Sequence, residues 1–265
     1  MKILDLCSGV GAGFPFAALK IGGFELIGLA EIDDYCQNIL SLRYPNVKNI
    51  GDIKSYKWSA QPYLLNRLEP DIITASPPCQ PFSVQGKRLA GEDDRDCFPA
   101  ILEAIATLKP SYFAIENVPG LLTAPAREQL GGYFRNLLYQ IHQRGYDAEW
   151  TIVSSGSFGA PWLRRRLLLV GKSSSIQCSR QRSWADQIGN TVENFRSSTG
   201  WSVNKSGVVR ETFSTTIGMD KSSSRPNGSR VNRSRRKAVG NSLDWRVAFV
   251  GLRRIQYYET KRVNS

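Results

Sequence analysis

Residues 2–13 read KILDLCSGVGAG, an apolar run that passes directly into three closely spaced glycines. The run has the length and composition of a buried strand. Glycines directly after a strand allow a tight turn and let a ligand approach the backbone. Because Phe14 stands where GxGxxG needs its third glycine, and because no GxxxxGK[ST] occurs, a phosphate cradle is not expected. A plain turn explains Gly9, Gly11 and Gly13 equally well, so this loop alone does not establish a site.

Strand-like and helix-like segments alternate from this loop to Gly171. Short apolar runs predict further strands over 24–32, 71–77, 111–118, 148–155 and 165–171. Between them, the helical spacing of apolar residues predicts helices over 35–44, 98–109 and 132–145. Alternation of this kind is typical of a doubly wound, mostly parallel sheet, so we expect an α/β fold. A last helix is predicted over 242–258.

The composition changes after Gly171. Residues 173–230 are rich in Ser, Thr, Asn, Gly and Arg, and predict a small, irregular, basic region between a main domain over 1–172 and a C-terminal segment over 231–265 that returns to it. The net charge of +12 is unevenly distributed, since residues 1–172 carry +1 and residues 173–265 carry +11. This asymmetry favours a polyanionic partner, with nucleic acid as the first candidate, over a merely solvated tail.

The five cysteines, at positions 7, 36, 79, 97 and 178, form no CxxC pair. Their odd number and scattered spacing argue against a disulfide framework and against a zinc site, so we expect no bound metal. No apolar run reaches the ~18 residues of a membrane span, and the N-terminus is similar to a first strand rather than to a signal peptide. We therefore predict a cytoplasmic protein without membrane contact.

Two carboxylates follow the glycine loop at informative positions. Glu31 ends the second predicted strand, where an acidic residue suits the paired hydroxyls of a ribose. Asp52, in GDI over 51–53, follows a further loop and can accept a hydrogen bond from an exocyclic amine. A ribose contact without a phosphate cradle describes a nucleoside cofactor, and S-adenosylmethionine is the commonest of these. Taken alone, Glu31 is equally well explained as a surface carboxylate.

The stretch TASPPCQPFS, residues 74–83, holds a cysteine behind two prolines. Proline fixes φ and restricts the residue before it, so Cys79 is expected on a stiff loop. That loop follows a strand, at the edge where open α/β sheets bind ligands. A Cys–His nucleophile is disfavoured because His142, the only histidine, lies on a predicted amphipathic helix. A Cys-x5-Arg phosphatase loop is excluded because Gln85 occupies the arginine position.

A thiolate beside a methyl donor has one well-defined use, which is methylation of a pyrimidine at C5. C5 is a poor nucleophile until a thiolate adds at C6 and converts the ring into an enamine. The adduct needs an acid near N3, and Glu116 ends the fourth predicted strand, at the same sheet edge as Cys79. The alternative role for Glu116 is helix capping, but the Asn-Val-Pro-Gly that follows it favours a loop and hence the catalytic role.

Together these motifs resemble those of the DNA (cytosine-5)-methyltransferase family over most of the chain. DLCSGVGAG (5–13) is similar to the family's first cofactor motif, SPPCQPFSVQGKR (76–88) to its nucleophile motif and IENVPGL (115–121) to its ENV motif. GAPWLRRRLLLVG (159–171) resembles its arginine motif, and VGNSL (239–243) resembles its last motif. The resemblance implies a Rossmann-like, S-adenosylmethionine-dependent fold and double-stranded DNA as the partner.

The resemblance also implies roles for individual residues. It makes Cys79 the nucleophile and Glu116 the acid at N3 and N4 of the cytosine. It makes Arg164 and Arg166 the arginines that hold the base and nearby phosphates, with Arg166 nearest the cytosine O2. Cofactor contacts are implied for Asp5, Gly9, Gly11, Glu31, Asp52, Ile53, Pro78, Asn241 and Ser242. DNA contacts are implied for Gln85, Lys87 and Arg95, in the loop after the nucleophile.

The basic region over 173–230 then corresponds to a target-recognition region, and we expect it to read DNA bases through arginines. Arginine is the side chain best suited to bidentate recognition of guanine. For any single arginine, a contact to phosphate alone is the more common role. The candidates are Arg180, Arg182, Arg196, Arg210, Arg225, Arg230 and Arg233.

The chain departs from the family pattern at several positions. Cys7 stands where Phe is usual, and Trp162-Leu163 replace the glutamine-rich start of the arginine motif. The compact layout is most similar to small phage or prophage members, so a monomer in a bacterial or phage-infected cell is expected. Two other functions stay open, an RNA (tRNA) cytosine-5 methyltransferase of the same fold and a catalytically silent DNA-binding relative. Retention of PCQ, Cys79 and Glu116 favours the DNA enzyme.

Overall fold

The computed structural model describes residues 1–58, 69–83, 89–126, 129–179, 182–198, 202–203, 209–210, 234, 238 and 243–263. Its helices are α1 (Phe14–Ile21), α2 (Asp34–Arg43), α3 (Phe98–Leu108), α4 (Gly132–Gln143), α5 (Trp184–Ser198) and α6 (Trp245–Lys261). Its strands are β1 (Lys2–Leu6), β2 (Glu25–Ala30), β3 (Ile72–Ala75), β4 (Tyr112–Asn117), β5 (Tyr146–Ser154), β6 (Arg165–Ser173), β7 (Ser202–Val203) and β8 (Val209–Arg210). In the described part of the chain, no helix is long and apolar enough to cross a membrane.

The first six strands form one sheet in the order β2-β1-β3-β4-β6-β5. β1 pairs in parallel with β2 and β3, and β3 pairs in parallel with β4. β6 is antiparallel to both β4 and β5, so β6 alone among these strands runs in the opposite direction. The prediction of a doubly wound, mostly parallel α/β fold is confirmed, and each predicted strand and helix is present with slightly shifted ends.

Side chains of the sheet alternate between two cores, because successive residues of a strand point to opposite faces. Leu4 and Leu6 of β1 lie in one core, together with Ile101 of α3. Ile3 lies in the other core, which contains Phe14 of α1 and residues of α6. Full burial of each such Leu, Ile or Phe stabilises the fold by about 1.5–3 kcal/mol. Helices on both faces therefore give three layers, with the sheet in the middle.

The order in which successive strands are added to the sheet changes side at β1, and this change determines where a ligand can bind. β1 lies between β2 and β3, so the connections that follow β1 and β2 lead to opposite sides of it. The loop after β1 continues the ladder, since the N–H of Ser8 donates to the carbonyl of Ala30 at 2.9 Å and that of Ser76 donates to Leu6 at 3.1 Å. A crevice at the carboxyl ends of the strands is expected at such a point.

Helix α5 lies in a stretch for which irregular structure was expected. Trp184, Ile188 and Val192 recur every fourth residue and face the core beneath α6. Phe195, on the same face, packs edge-on against Trp245 at 5.3 Å between ring centroids. The apolar spacing is a helix signal that the polar and Gly189-containing composition of this stretch concealed. Part of the region after residue 172 therefore packs on the main domain.

Candidate active site

A cleft of about 610 Å³ opens at the carboxyl ends of β1 and β3. This volume is within the range of small-molecule binding sites. The predicted site residues that line it are Asp5, Gly9, Glu31, Asp52, Ile53, Pro78, Cys79, Arg95, Glu116 and Arg166. Four other predicted residues, Gln85, Lys87, Asn241 and Ser242, lie outside the described residues. The fold thus brings together side chains that are far apart in the sequence.

Backbone N–H groups hold the Glu31 carboxylate in one orientation. One oxygen accepts a hydrogen bond from Gly9 at 2.7 Å, and the other accepts from Ile32 and Asp33 at 2.9 and 2.8 Å. A carboxylate offers about four lone-pair sites, so about one remains for a ligand hydroxyl. Gly9 has φ +55° and open space around the position of a Cβ, so glycine is needed here for its backbone conformation.

Gly11 has a packing role behind the loop. A Cβ at this residue would lie 2.4 Å from the ring of Tyr44 and 2.8 Å from the side chain of Leu40. The Tyr44 hydroxyl also donates a hydrogen bond to the Gly11 carbonyl at 2.6 Å. Gly11 therefore lets α2 pack closely behind the loop and is absent from the cleft lining. The cofactor contact expected for Gly11 stays a prediction.

Asn49, which sequence reasoning did not single out, connects two parts of the cleft wall. Its Oδ1 accepts hydrogen bonds from the N–H groups of Glu31 and Gly51 at 2.9 and 3.1 Å. Its Nδ2 donates to the Glu31 carbonyl at 3.0 Å. One side chain thus fixes the backbone of Glu31 and the loop that carries Asp52. The sequence signal was present, because Asn commonly bonds the backbone of neighbouring loops.

Two further carboxylates line the cleft in different environments. Asp52 accepts a hydrogen bond from the N–H of Lys54 at 2.9 Å. Asp5 is buried and accepts from the Thr74 hydroxyl at 2.5 Å. Burial is the main reason that the pKa of Asp5 rises to about 7, and the negative charge of Glu31 adds to it. Near neutral pH, Asp5 can therefore either donate or accept a hydrogen bond.

The loop that carries Cys79 is fixed at both ends. The Cys79 carbonyl accepts hydrogen bonds from the N–H groups of Phe82 and Ser83 at 3.0 and 2.9 Å, which closes a tight turn after the thiol. Before the thiol, the Asn117 side-chain amide donates to the Pro77 carbonyl at 3.4 Å. Asn117 ends β4, so this bond ties the thiol loop to the strand of Glu116. The thiol is half-buried at the cleft wall.

Glu116 forms an ion pair with Arg166 inside the cleft. The Arg166 Nε lies 2.7 Å from the Glu116 carboxylate, and both side chains are largely buried. The two residues come from adjacent strands, because Glu116 pairs with Leu168 in the β4–β6 register. A second hydrogen bond to the carboxylate comes from Ser76, which precedes the thiol loop. Ser76 is a further residue that sequence reasoning did not single out.

The electrostatics of this cluster raise the pKa values of both candidate catalytic groups. Burial is the main cause of the raised pKa of Glu116, which Arg166 and Arg164 oppose. Burial also raises the pKa of the Cys79 thiol, and the nearby Glu116 charge raises it further. Arg166 and Arg164 act against both shifts. The two groups therefore compete for the same positive charges.

Arg164 lies beside the cleft rather than in its lining. It is half-buried, and its pKa is lowered mainly by burial and also by the charge of Arg166. Arg95 lines the cleft and forms a two-point ion pair with Asp93, at 2.8 and 2.7 Å. Because the Arg95 side chain is 57% exposed, a DNA phosphate competing with Asp93 can reach it. The predicted DNA contact of Arg95 stays a prediction.

Two neighbouring thiols, those of Cys7 and Cys97, also line the cleft, and Cys7 stands where the family pattern has Phe. Cys7 adopts φ +55°, and its thiol lies next to that of Cys97. The interaction between the two thiols is the largest cause that raises the pKa of Cys7 and lowers that of Cys97. Cys79 is therefore not the only cysteine that a thiol reagent meets in this cleft. Among the described residues, no group of three potential ligands is arranged for a metal ion.

These features define an α/β protein with a small-molecule cleft at the switch point of its sheet. A thiol, a buried acid and an arginine line this cleft. The family model of C-5 cytosine-specific DNA methylases matches residues 1–263, and the chain belongs to this family. The family predicted from the sequence motifs is thereby confirmed.

Known proteins are similar to this chain in sequence or in fold. The Type II methyltransferase M.NaeI of Lentzea aerocolonigenes is 28% identical over 214 residues, which are 76% of this chain and 48% of that protein. M.NgoBI of Neisseria gonorrhoeae, also a Type II methyltransferase, is 34% identical over 176 residues, 66% of this chain and 51% of that protein. The chain thus spans about half the length of the curated relatives it matches. A DNMT2 structure from Spodoptera frugiperda has the same fold, with a TM-score of 0.59, 16% identity and coverage of 97% of this chain and 99% of that one.

Proposed function

We propose that this chain is a DNA (cytosine-5)-methyltransferase, which transfers a methyl group from S-adenosylmethionine to C5 of a cytosine turned out of the double helix. One observation carries the proposal: Cys79, Glu116 and Arg166 line the same cleft as the carboxylates of Glu31 and Asp52. A thiol, a buried acid and a cation are the groups that this reaction requires beside its cofactor site. Membership of the C-5 cytosine-specific family supports the same conclusion.

The residues of the cleft fit S-adenosylmethionine. Glu31 retains about one acceptor site for a ribose hydroxyl, and Asp52 provides a carboxylate for the exocyclic amine of adenine. The buried side chain of Ile53 offers an apolar surface for the adenine ring. Asp5, Gly9 and Pro78 complete the binding surface. When bound, the cofactor supplies a methyl group on a positively charged sulfur.

Asn49→Ala is expected to weaken cofactor binding without changing the chemical step. The variant loses three hydrogen bonds that hold Glu31 and Gly51. At a net ~0.5–1.5 kcal/mol each, and allowing for replacement by water, a loss of about 1–3 kcal/mol corresponds to a roughly 5- to 150-fold rise in Kd. Titration with S-adenosylmethionine measures the Kd, and kcat at saturating cofactor should stay within about twofold.

The matched control is Asn38→Ala, which removes an exposed asparagine from α2. It should leave both Kd and kcat unchanged. If Asn49→Ala lowers kcat as strongly as it raises Kd, then Asn49 does not act through cofactor positioning.

The chemistry follows from the positions of three side chains. The Cys79 thiolate adds to C6 of the cytosine, and Glu116 supplies a proton at N3, so that C5 becomes nucleophilic. Arg166 holds Glu116 at 2.7 Å and neutralises negative charge near the cytosine O2. After C5 has gained the methyl group, its proton is lost to solvent water, Cys79 leaves C6 as a thiolate, and N3 returns its proton to Glu116, which restores the aromatic ring. The thiolate is thus consumed and regenerated in each turnover.

DNA contacts are assigned to two parts of the chain. The loop after Cys79, with Gln85, Lys87 and Arg95, covers the DNA next to the flipped base. The basic region over 173–230 reads the target sequence, and the segment over 231–265 returns to the catalytic domain with Asn241 and Ser242 at the cofactor. In the free protein Arg196 donates to the Ser157 carbonyl at 2.9 Å, so a base contact from Arg196 requires release of this bond.

Methyl transfer to duplex DNA and to tRNA, measured in parallel with radiolabelled S-adenosylmethionine, tests the proposal. We expect label in DNA, at C5 of cytosine, and sequencing of the product gives the recognition site. Label in tRNA alone would identify an RNA methyltransferase and overturn the proposal. Binding to DNA without transfer to either substrate would identify a silent relative.

The pH dependence of kcat/KM should show a plateau that is shifted to the alkaline side. The active form needs Glu116 protonated and Cys79 ionised, although Glu116 has the lower pKa. The rate then rises up to the pKa of Glu116, stays level, and falls above the pKa of Cys79. Because both pKa values are raised, the two edges should lie above the ordinary ~4.3 of Glu and ~8.5 of Cys.

Glu116→Gln provides the check on this assignment. Without the acid, the rate should rise continuously with pH up to the pKa of Cys79, with no plateau. An unchanged lower edge in the variant would assign that edge to another group, for which Asp5, with a pKa of about 7, is the first candidate.

A further inference from the structure

The loop between β5 and β6 ends in two adjacent apolar side chains that are exposed to solvent. Trp162 is 42% exposed and Leu163 is 67% exposed. We refer to these two residues as the apolar tip. They occupy the positions at which the family pattern has its glutamine-rich start, so polar side chains are replaced here by apolar ones.

The apolar tip projects beyond the sheet at the edge that carries the cleft. β6 starts at Arg165, and its residues Leu167 and Leu168 pair with Asn117 and Glu116 at the end of β4. The tip therefore lies only a few residues before Arg166 in the chain, and the Nε of Arg166 lies 2.7 Å from the Glu116 carboxylate.

Arg164, directly after the tip, also lies within electrostatic reach of the candidate catalytic groups. Its charge acts on Cys79 and on Glu116. The tip is thus a neighbour of the proposed cytosine pocket.

The backbone beneath the tip is held in place although its side chains are exposed. The Ser154 hydroxyl donates to the Leu163 carbonyl, and the N–H of Ser155 donates to the Arg164 carbonyl at 3.4 Å. Phe158, in the middle of the loop, is fully buried and packs edge-on against Phe195 of α5 at 5.6 Å. The tip is therefore presented by a fixed loop that also contacts the start of the basic region.

The charges around the tip indicate what covers it. Arg164, Arg165 and Arg166 follow it directly, and Arg165 is exposed. Aromatic and aliphatic side chains beside arginines are typical of surfaces that bind nucleic acid, where the cations contact phosphates and the apolar groups contact bases. Apolar side chains also insert between base steps of a duplex, where they unstack the neighbouring bases. A cytosine leaving the helix disrupts the stack at this edge of the protein.

We propose that Trp162 and Leu163 contact the base stack next to the flipped cytosine and stabilise the flipped state. The proposal rests on the proposed function, because it takes duplex DNA with one extruded cytosine as the occupant. It assigns to these residues a positioning role in base flipping.

The test uses the full chain and a duplex whose cytosine the wild-type protein methylates, with 2-aminopurine as the neighbouring base. Fluorescence at saturating protein reports unstacking, and the titration reports affinity. For Trp162→Ala/Leu163→Ala we expect an unstacking signal below about a third of the wild-type signal, and at least partial recovery when the target cytosine is mispaired, because a mispaired base is easier to extrude. Trp162→Phe should retain most of the signal.

Leu19→Ala is the matched control, since Leu19 is 61% exposed on α1, away from the cleft. It should behave as wild type. A double variant with wild-type signal and affinity would overturn the proposal. So would an equal loss of affinity on paired and mispaired DNA with unchanged signal, because that result describes a general DNA contact.

The outcomes separate this proposal from the proposed function. If the wild type methylates no DNA, the proposed function fails and the tip is judged by binding to duplex DNA alone. In that case a loss of affinity by the double variant that is larger on paired than on mispaired DNA, and absent from Leu19→Ala, supports a contact next to an extruded base. Equal binding, or an equal loss on both DNAs, overturns it. Normal methylation by the double variant overturns the role of the tip only.

Discussion

Cys79→Ser is expected to abolish methyl transfer. A serine hydroxyl at this position is not appreciably ionised at neutral pH, so no nucleophile adds to C6 and C5 stays unreactive. The fold should persist, because the thiol is half-buried and the turn after it is made by backbone hydrogen bonds from Phe82 and Ser83. Incorporation of labelled methyl groups into DNA measures the effect, and binding of S-adenosylmethionine should be unchanged.

A mechanism-based trap gives the complementary result. DNA with 5-fluorocytosine at the target should form a stable covalent complex with the wild-type protein, because fluorine at C5 cannot leave as a proton does. The complex should be absent with Cys79→Ser and present with Cys178→Ser, in which a cysteine distant from the cleft is replaced. Cys97→Ser is the second control, because Cys97 also lines the cleft, and the trapped complex should be present with this variant as well. Turnover by Cys79→Ser, or an active wild type that forms no trapped complex, would refute the covalent mechanism.

Glu116→Gln is expected to lower kcat by about 10²- to 10⁴-fold, the usual contribution of general acid catalysis. Gln has nearly the same size but cannot deliver a proton to N3. The substitution also removes the negative charge that pairs with Arg166 at 2.7 Å and raises the pKa of Cys79. The pKa of Cys79 should therefore fall in the variant, which a thiol-reactivity profile against pH can detect.

The control for this prediction is Glu103→Gln, on the exposed side of α3. It should have wild-type kcat. Single-turnover rates at saturating DNA isolate the chemical step from product release. A decrease of less than about threefold in those rates would exclude Glu116 as the acid.

Much of the fold and of the site is predictable from short-range sequence patterns. The apolar runs before the loops of Gly9, Cys79 and Glu116 predict strands, and in a parallel sheet the carboxyl ends of such strands meet at one edge. This reasoning is sufficient to bring Cys79 and Glu116 together. Proline restriction likewise predicts the stiff loop of Cys79 from its neighbours alone.

Other features depend on contacts between distant segments. The sequence marks Asn49 only as a loop residue, and its importance comes from hydrogen bonds to backbone groups of Glu31 that the fold brings next to it. Gly11 lies in the same glycine-rich loop as Gly9, but it faces Tyr44 rather than the cleft. Helix α5 depends on burial of Trp184 and Phe195 under α6, and this packing outweighs a polar composition with weak helix propensity.

The sequence by itself determined the α/β class and the alternation of strands and helices along the chain. It also identified Cys79, Glu116, Glu31 and Asp52 as candidate groups. These features follow from local periodicity, turn chemistry and motif spacing. The tertiary structure alone decided how those groups interact. The antiparallel β4–β6 register sets Arg166 against Glu116, burial raises the pKa values of Glu116 and Cys79, and the β5–β6 loop exposes Trp162 and Leu163. The physical reason is that burial, desolvation and ion pairing depend on distances between segments that are remote in sequence.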